Sequence, residues 1–135
     1  MQKNKTRKGF KWMLILLFLL LIIAASWYIY FNNVGKKAVE YTGDFKAGLN
    51  ESHYGAYHGV YEVWPGREAA VVSFSADSGK LVQFSIDKLM QSPGYKIEQE
   101  IEEKVRESGE LDFDAVSGAT YSSYFIKAAI RKALE

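Results

Sequence analysis

Cysteine is absent from this chain of 135 residues, and histidine and proline occur only twice each. Without cysteine, the protein can form neither disulfide bonds nor thiolate metal sites, and it has no cysteine nucleophile. The two histidines, His53 and His58, lie five residues apart and do not share a face of one element. We therefore expect them to be surface or packing residues rather than members of a metal site or a catalytic triad.

Basic residues are scarce outside the N-terminus. Five of the 17 lysines and arginines lie within residues 1–11, which contain no acidic residue. From residue 32 onward, twelve basic side chains are outnumbered by 16 acidic ones. A nucleic-acid-binding domain usually carries a basic face on its folded part, so this distribution argues against a nucleic-acid partner. The length allows one modest domain with an additional segment.

One long apolar segment is present. Residues 13–31 carry no charge, and at about 1.5 Å per residue they roughly span the hydrocarbon core of a bilayer. Trp12 lies at one end and Trp27, Tyr28 and Tyr30 lie at the other, as in the aromatic belts of membrane helices. Because the basic residues precede this segment, the positive-inside rule predicts a cytoplasmic N-terminus and an extracytoplasmic remainder.

A cleaved secretory signal is the alternative, because Ala24, Ala25 and Ser26 are small enough for a cleavage site. The apolar cores of signal peptides are usually shorter, roughly 7–15 residues, so we favour a single-pass anchor in the cell membrane. The predicted organisation is a cytoplasmic basic tail (1–11), a transmembrane anchor (12–31), a tether (32–54) that includes a helical stretch over 34–41, and a folded domain (55–135).

Residues 57–87 have the pattern of a three-stranded antiparallel meander. We expect strands over 57–64, 69–76 and 81–87, with turns at Pro65-Gly66 and Ser78-Gly79, where glycine accepts a positive φ. Alternation along the second and third strands predicts one strongly apolar face. That face comprises Val72, Phe74, Ala76, Val82, Phe84 and Ile86.

Two amphipathic helices follow and can cover that face. The first begins after Ser92-Pro93, has Ile97, Ile101 and Val105 at four-residue spacing, and ends at Gly109. The second covers about 122–134, and its apolar stripe comprises Phe125, Ile126, Ala129, Ile130, Ala133 and Leu134. The expected fold class is therefore α+β, with an antiparallel β-sheet meander covered by two helices and preceded by one N-terminal transmembrane helix.

A corner of small residues, Ser117-Gly118-Ala119-Thr120, lies just ahead of the last helix. The first N–H groups of a helix lack partners and carry positive potential, so this position favours an anion such as a phosphate. Gly118 and Ala119 leave room for a bulky group, and Thr120 offers a hydroxyl as a covalent handle. The residues themselves also permit two other interpretations.

In the first alternative, the corner is an ordinary helix cap in which Thr120 or Ser122 accepts a backbone hydrogen bond. In the second, Ser117 is a nucleophile on a sharp turn. The sequence around Ser117 lacks the flanking glycines of such a turn, and no base is positioned nearby. These residues by themselves do not distinguish an ordinary helix cap from a phosphate-binding site.

Residues 114–123, DAVSGATYSS, resemble the flavinylation motif of the FMN-binding domain family. That family includes the C subunit of sodium-pumping NADH:quinone reductase and the G subunit of the Rnf complex. The similarity extends over about residues 55–134. Within DAVSGATYSS, the family often has Thr where this chain has Ser122. Three further segments resemble family patterns: His58-Gly59-Val60-Tyr61-Glu62, Gly79-Lys80-Leu81-Val82 and Ser92-Pro93-Gly94-Tyr95. In the first of these, the family more often has Asp at the position of His58.

The resemblance implies that Thr120 carries FMN through a phosphoester bond. A separate exported flavin transferase, using FAD and magnesium, would make that bond, since a threonine hydroxyl is a poor nucleophile without a base. Asp114 and Ser117 would serve recognition or orientation. The residues implied for cofactor binding are Thr120, Ser117, Gly118, Ala119, Asp114, Tyr121 and Ser122.

An anchored flavin suits electron relay from a quinone-linked membrane donor to an exported acceptor, which is the role of a carrier or complex subunit rather than of a stand-alone enzyme. Two alternatives remain open. The domain could bind FMN noncovalently and regulate a partner, or it could be a tethered interaction domain without a cofactor. Four aromatic residues are candidates to stack near the flavin ring: Tyr121, Tyr124, Tyr95 and Trp64.

Overall fold

The computed structural model describes residues 2–43, 45–90 and 96–135, with side chains from Thr6 onward. Helix α1 spans Gln2–Thr42 and is long and apolar enough, by length and composition, to cross a membrane. Met1–Asn33 forms one compact unit and Val34–Glu135 forms another. The second unit contains strands β1 (Gly55–Trp64), β2 (Arg67–Asp77) and β3 (Lys80–Leu89), and helices α2 (Ile97–Ser108) and α3 (Thr120–Leu134).

The three strands form an antiparallel sheet in the order β1-β2-β3, which confirms the predicted meander. The two turns have the expected chemistry. Gly66 has φ 86°, which fits the third position of a turn with proline at the second. Ser78 and Gly79 have φ values of 51° and 84°, so both central residues are left-handed, as the twist of a tight hairpin requires.

Most of the predicted apolar face is buried, but Val82 is an exception. Val72, Phe74 and Phe84 are at most 3% exposed, whereas Val82 is 63% exposed. The pairing register explains this difference. Ser75 pairs with Gln83 while the next residue on β2 pairs with Leu81, so β3 carries one extra residue at this point. Such a bulge breaks the alternation of faces, and the prediction that Val82 points into the core is therefore wrong.

Helix α3 covers the inner face of the sheet. The ring of Phe125 stacks on Tyr61 of β1 with centroids 6.2 Å apart. A β-carbon on Gly59 would overlap the backbone of Ala129, so strand and helix are in direct backbone contact there. Phe125, Ile126, Ala129 and Ile130 are fully buried, which confirms this part of the predicted stripe. Ala133 and Leu134, at its C-terminal end, are half-buried.

Helix α2 lies along β3. Ile97, Ile101 and Val105 are buried, as their four-residue spacing predicts. Glu102 accepts a hydrogen bond from the N–H of Ile86 at 2.8 Å, which satisfies a backbone donor of the edge strand. Gly109 ends the helix with φ 68°, as expected for a left-handed C-terminal residue. The residues of the predicted cap, Ser92-Pro93, fall outside the described residues, and α2 instead begins at Ile97 with Lys96 as its N-cap.

The outer face of the sheet carries polar side chains. His58 Nδ1 lies 3.1 Å from Ser73 Oγ, and Ser73 Oγ donates to Asp87 at 2.5 Å, so these three residues link all three strands. His53 Nδ1 accepts a hydrogen bond from the N–H of Asn50 at 2.9 Å. The two histidines thus take part in separate local contacts.

The end of α1 belongs to the folded unit. Val34, Ala38 and Thr42 are buried at four-residue intervals along one helix face. Tyr41 stacks on Tyr61 with centroids 5.7 Å apart, and its hydroxyl donates to Glu135 at 2.8 Å. Helical structure was expected over 34–41, and it is observed there as the continuation of α1.

Candidate functional site

The N-terminus of α3 lies at one end of the sheet. Along β1 the contacts move from Gly59, against Ala129, to Tyr61, against Phe125, so strand and helix run in opposite directions. The last residues of β1, including Trp64, therefore lie towards the start of α3. The hydroxyl of Ser122 donates to the carbonyl of Met90 at 3.1 Å, so the chain after β3 meets the same corner.

A tight turn leads into α3. The N–H of Ala119 donates to the carbonyl of Val116 at 3.0 Å and closes a turn over residues 116–119. Gly118 stands third in this turn with φ 83°, a conformation that costs a residue with a β-carbon roughly 1–2 kcal/mol. The turn places Ser117 and Gly118 on the surface, and both are exposed.

Ser123 holds this turn against the helix, a role that the sequence did not reveal. Its buried hydroxyl donates to the carbonyl of Ala119 at 2.8 Å and accepts a hydrogen bond from the N–H of Val116 at 3.0 Å. Both ends of the turn are thus bonded to one side chain. The pair Ser122-Ser123 in the sequence was the available signal, but it does not say which serine faces the turn.

Thr120 is the first residue of α3, which begins two residues earlier than predicted. It is exposed, and its hydroxyl has no hydrogen-bond partner among the described residues. The N-cap is Ala119, with no side-chain hydrogen bond to the helix. The alternative in which Thr120 or Ser122 caps the helix is therefore not the arrangement observed, and the first turn keeps its backbone donors for another acceptor.

The remaining predicted site residues lie around this corner in different environments. Asp114 is exposed on the preceding loop, and Ala119 is half-buried. Ser122 is only 5% exposed, and its hydroxyl is used in the bond to Met90. The ring of Tyr121 packs against the backbone of Gly35 in α1. The structure thus gathers the predicted residues at one corner, with Thr120 and Ser117 facing outward and Ser122 inward.

Two of the four candidate stacking residues lie on α3 near Thr120. Tyr124 is one helical turn beyond Thr120 and therefore on the same face. The ammonium group of Lys127 lies 5.4 Å from the centroid of Tyr124 and 5.2 Å from that of Phe113. Trp64 is 48% exposed at the same end of the sheet, and Tyr95 falls outside the described residues.

The segment that forms the corner contains no cationic side chain of its own. No lysine or arginine occurs between residues 109 and 126, while Glu110, Asp112 and Asp114 precede the turn. An anion here would be held by the N–H groups and the positive end of the dipole of α3. The uncapped first turn, the left-handed glycine and the exposed hydroxyl together fit a phosphate-bearing group such as FMN.

These features define a class of protein: a small α+β domain that presents an exposed hydroxyl at an anion-favouring helix N-terminus. The model of the FMN-binding domain matches residues 64–135, more than half of the chain and the whole of β2, β3, α2 and α3. The chain therefore belongs to the FMN-binding domain family, which confirms the resemblance of the DAVSGATYSS segment and makes it a flavin-binding protein. No curated protein and no solved structure matches it.

Proposed function

We propose that this protein is a membrane-anchored, extracytoplasmic flavoprotein that carries FMN covalently on Thr120 and relays electrons. The donor would be a quinone-linked membrane component and the acceptor an exported protein. One observation carries the attachment site: the Thr120 hydroxyl, at the start of α3 in a domain of the FMN-binding family, is exposed and has no hydrogen-bond partner within residues 6–43, 45–90 and 96–135. A buried or hydrogen-bonded hydroxyl would be less accessible to another enzyme.

The attachment reaction needs a second protein. Thr120 Oγ1 would bond to the phosphorus of the FMN half of FAD, the bond between the two phosphates would break, and AMP would leave. The hydroxyl proton must pass to a base, and the nearest histidine in the sequence is 62 residues away, at His58. A magnesium-dependent flavin transferase outside the cytoplasm would supply both the base and the metal.

The chain's own residues would hold the attached group. The diester keeps one negative charge, which the N–H groups of the first turn of α3 and its dipole can stabilise. Gly118 and Ala119 leave space beside Thr120 for the attached group, because neither has a side chain longer than a methyl group. Asp114 and Ser117, both exposed on the approach to the turn, are placed to be recognised by the transferase.

Electron relay fits a cofactor on an exposed corner. When bound, FMN accepts and donates one or two electrons. Thr120, Ser117 and Gly118 are all exposed, so a group attached there can be approached by protein partners. A covalent bond also prevents loss of the cofactor by dissociation outside the cell, where it cannot be recovered easily.

Membrane anchoring is supported by the character of α1. Its apolar residues between positions 13 and 23 are 46–65% exposed within the chain, as expected for side chains that face lipid. The five cations of residues 1–11 favour a cytoplasmic N-terminus, and in that orientation the domain would lie on the opposite side. That side is where an exported transferase would act.

In-gel fluorescence tests the attachment. The full chain, expressed with a flavin transferase in a host that exports both, should give a denatured band that fluoresces and a mass increased by FMN less water. Thr120→Val keeps the branched shape but removes the hydroxyl, so it should give a dark band. Thr120→Ser keeps the hydroxyl and should retain some labelling.

Three results would contradict covalent attachment of FMN to Thr120. A dark wild-type band, with a transferase shown to label another substrate, would reject covalent attachment. Flavin that copurifies and is lost on denaturation would favour noncovalent binding. Fluorescence that survives Thr120→Val would place the bond on another residue.

A further inference from the structure

A contact between Gly35 and Tyr121 joins α1 to the corner of Thr120. Gly35 is buried within α1, and Tyr121 directly follows Thr120. A β-carbon added to Gly35 would overlap the ring of Tyr121: its three nearest atoms all belong to that ring, and Cδ2 would lie 2.6 Å away. Carbon atoms in favourable contact are about 3.5–4.0 Å apart. The ring therefore occupies the space that any other side chain at position 35 would need.

Glycine is an unfavourable choice for this helical position. In a helix interior it loses more backbone freedom than any other residue, and alanine is the best helix former. Gly35 has no φ in the left-handed region that would explain a glycine. The close approach of the Tyr121 ring is the feature that requires a residue without a side chain.

Helix α1 cannot easily move away from the ring. Ala38 and Thr42, on the same face as Gly35, are 0% and 3% exposed. Tyr41 is held by three contacts: its hydroxyl donates to Glu135, its carbonyl accepts a hydrogen bond from Arg131, and its ring lies 4.6 Å from the Arg131 guanidinium carbon. The end of α1 that follows Gly35 is thus fixed to the domain.

The first turn of α3 is held equally firmly on the other side. Ser122 is bonded to the carbonyl of Met90, and Ser123 is bonded to both ends of the turn over residues 116–119. Tyr121 lies between Thr120 and these two serines. A displacement of its ring by about 1 Å or more would therefore be transmitted to the backbone at Thr120, and displacements of this size can cost about 100-fold in the rate of a reaction that depends on orientation.

We propose that the end of α1, residues 34–42, is a working part of the flavin-attachment corner, with Gly35 as a positioning residue. Gly35 lets the Tyr121 ring lie against the α1 backbone, and this contact sets the orientation in which Thr120 meets the transferase. The inference rests on the proposed function, since it concerns how Thr120 is presented for flavinylation. It extends the functional domain upstream of the residues that the family model covers, which begin at position 64.

The test compares Gly35→Ala with Gly9→Ala in the full chain. Both changes replace a helical glycine of α1, but a β-carbon on Gly9 would meet nothing within 4 Å. The initial rate of labelling by the transferase, at saturating FAD and a temperature well below the unfolding midpoint, is measured per folded molecule. Gly35→Ala should reduce this rate at least fivefold, and Gly9→Ala should leave it within twofold of wild type.

A second variant separates positioning from general stability. In a Tyr121→Ala background the overlapping ring is gone, so adding Gly35→Ala should lower the unfolding midpoint and the labelling rate much less than it does in wild type. Should Gly35→Ala fail to fold, the double variant should restore a folded protein. A merely destabilising effect of Gly35→Ala would lower the unfolding midpoint but leave the rate per folded molecule unchanged.

The outcomes distinguish the two claims. If wild type is labelled and Gly35→Ala is labelled within twofold of it, the positioning role is rejected while the proposed function stands. If Gly35→Ala has the same effect in the Tyr121→Ala background as in wild type, the contact with Tyr121 is not the cause and the inference is likewise rejected. If wild type itself is not labelled by an active transferase, the proposed function is what fails.

Discussion

Replacing Ser123 with alanine should loosen the turn that presents Thr120. In the folded protein the Ser123 hydroxyl is fully buried, donates to the carbonyl of Ala119 and accepts from the N–H of Val116. Alanine fills nearly the same volume but makes neither bond. The N–H of Val116, which lies in a part-buried position, would then have lost its acceptor.

The size of the effect follows from two opposing contributions. A buried donor left without a partner costs about 1–3 kcal/mol. Alanine is the better helix former and returns about 0.5 kcal/mol at this position in α3. The free energy of unfolding should therefore fall by about 0.5–2.5 kcal/mol. For a domain of roughly 100 residues, this corresponds to a decrease of about 2–20 °C in the unfolding midpoint.

Thermal unfolding and labelling by the transferase both test this prediction. The matched control is Ser75→Ala, because Ser75 is half-buried on the sheet and its hydroxyl has no hydrogen-bond partner among the described residues. That change should alter stability by no more than about 0.5 kcal/mol. An unchanged midpoint and labelling rate in Ser123→Ala would show that the turn is held by something other than this hydroxyl.

Three further predictions concern the scaffold. Gly59→Ala should destabilise the domain by about 1–3 kcal/mol in denaturant titrations, because its methyl group would overlap the backbone of Ala129, which cannot rotate away. Ile101→Ala should cost about 2–5 kcal/mol in the same assay, since Ile101 is 0% exposed under the sheet. Burial and the adjacent Glu135 carboxylate raise the pKa of Tyr41 from 10.0 to about 12. The stability that the neutral phenol contributes is therefore complete below pH 10 and is lost as the pH rises to about 12. The ultraviolet absorbance of the phenolate should follow this loss.

Each scaffold prediction has its own control. A β-carbon on Gly48 meets nothing within 4 Å, so Gly48→Ala should not destabilise the domain as Gly59→Ala does. Ile101→Val removes only one methylene and should cost about 0.5–1.5 kcal/mol, less than alanine. Tyr41→Phe should remove the tyrosine that titrates near pH 12. A phenolate titration that is the same in wild type and Tyr41→Phe would contradict the assignment.

Local patterns predicted the type and order of the secondary-structure elements of the domain. The alternation in β2 and the four-residue spacing in α2 predict the buried faces, because the repeat of a strand or helix determines which side chains share a face. Glycine at positions 66, 79 and 109 predicts the turns and the helix end, since these backbone conformations exclude most other residues. The DAVSGATYSS segment indicated the family for a similar reason, as its residue types are contiguous in the chain.

Such local patterns do not predict contacts between segments that are distant in the sequence. The bulge that exposes Val82 depends on how β3 pairs with β2, and no property of β3 alone specifies it. The turn ahead of α3 is held by Ser123, whose hydroxyl bonds to both of its ends, and the sequence around Thr120 does not specify these bonds.

The sequence by itself thus determined the α+β class, the apolar N-terminal helix and the family, because these depend on periodicity, composition and a contiguous motif. Only the tertiary structure decided how the corner is held. Gly35 and Tyr121 are 86 residues apart in the chain, yet they are in contact in the fold. Their complementarity is a matter of close packing, and close packing depends on the position of every neighbour rather than on the local run of residues.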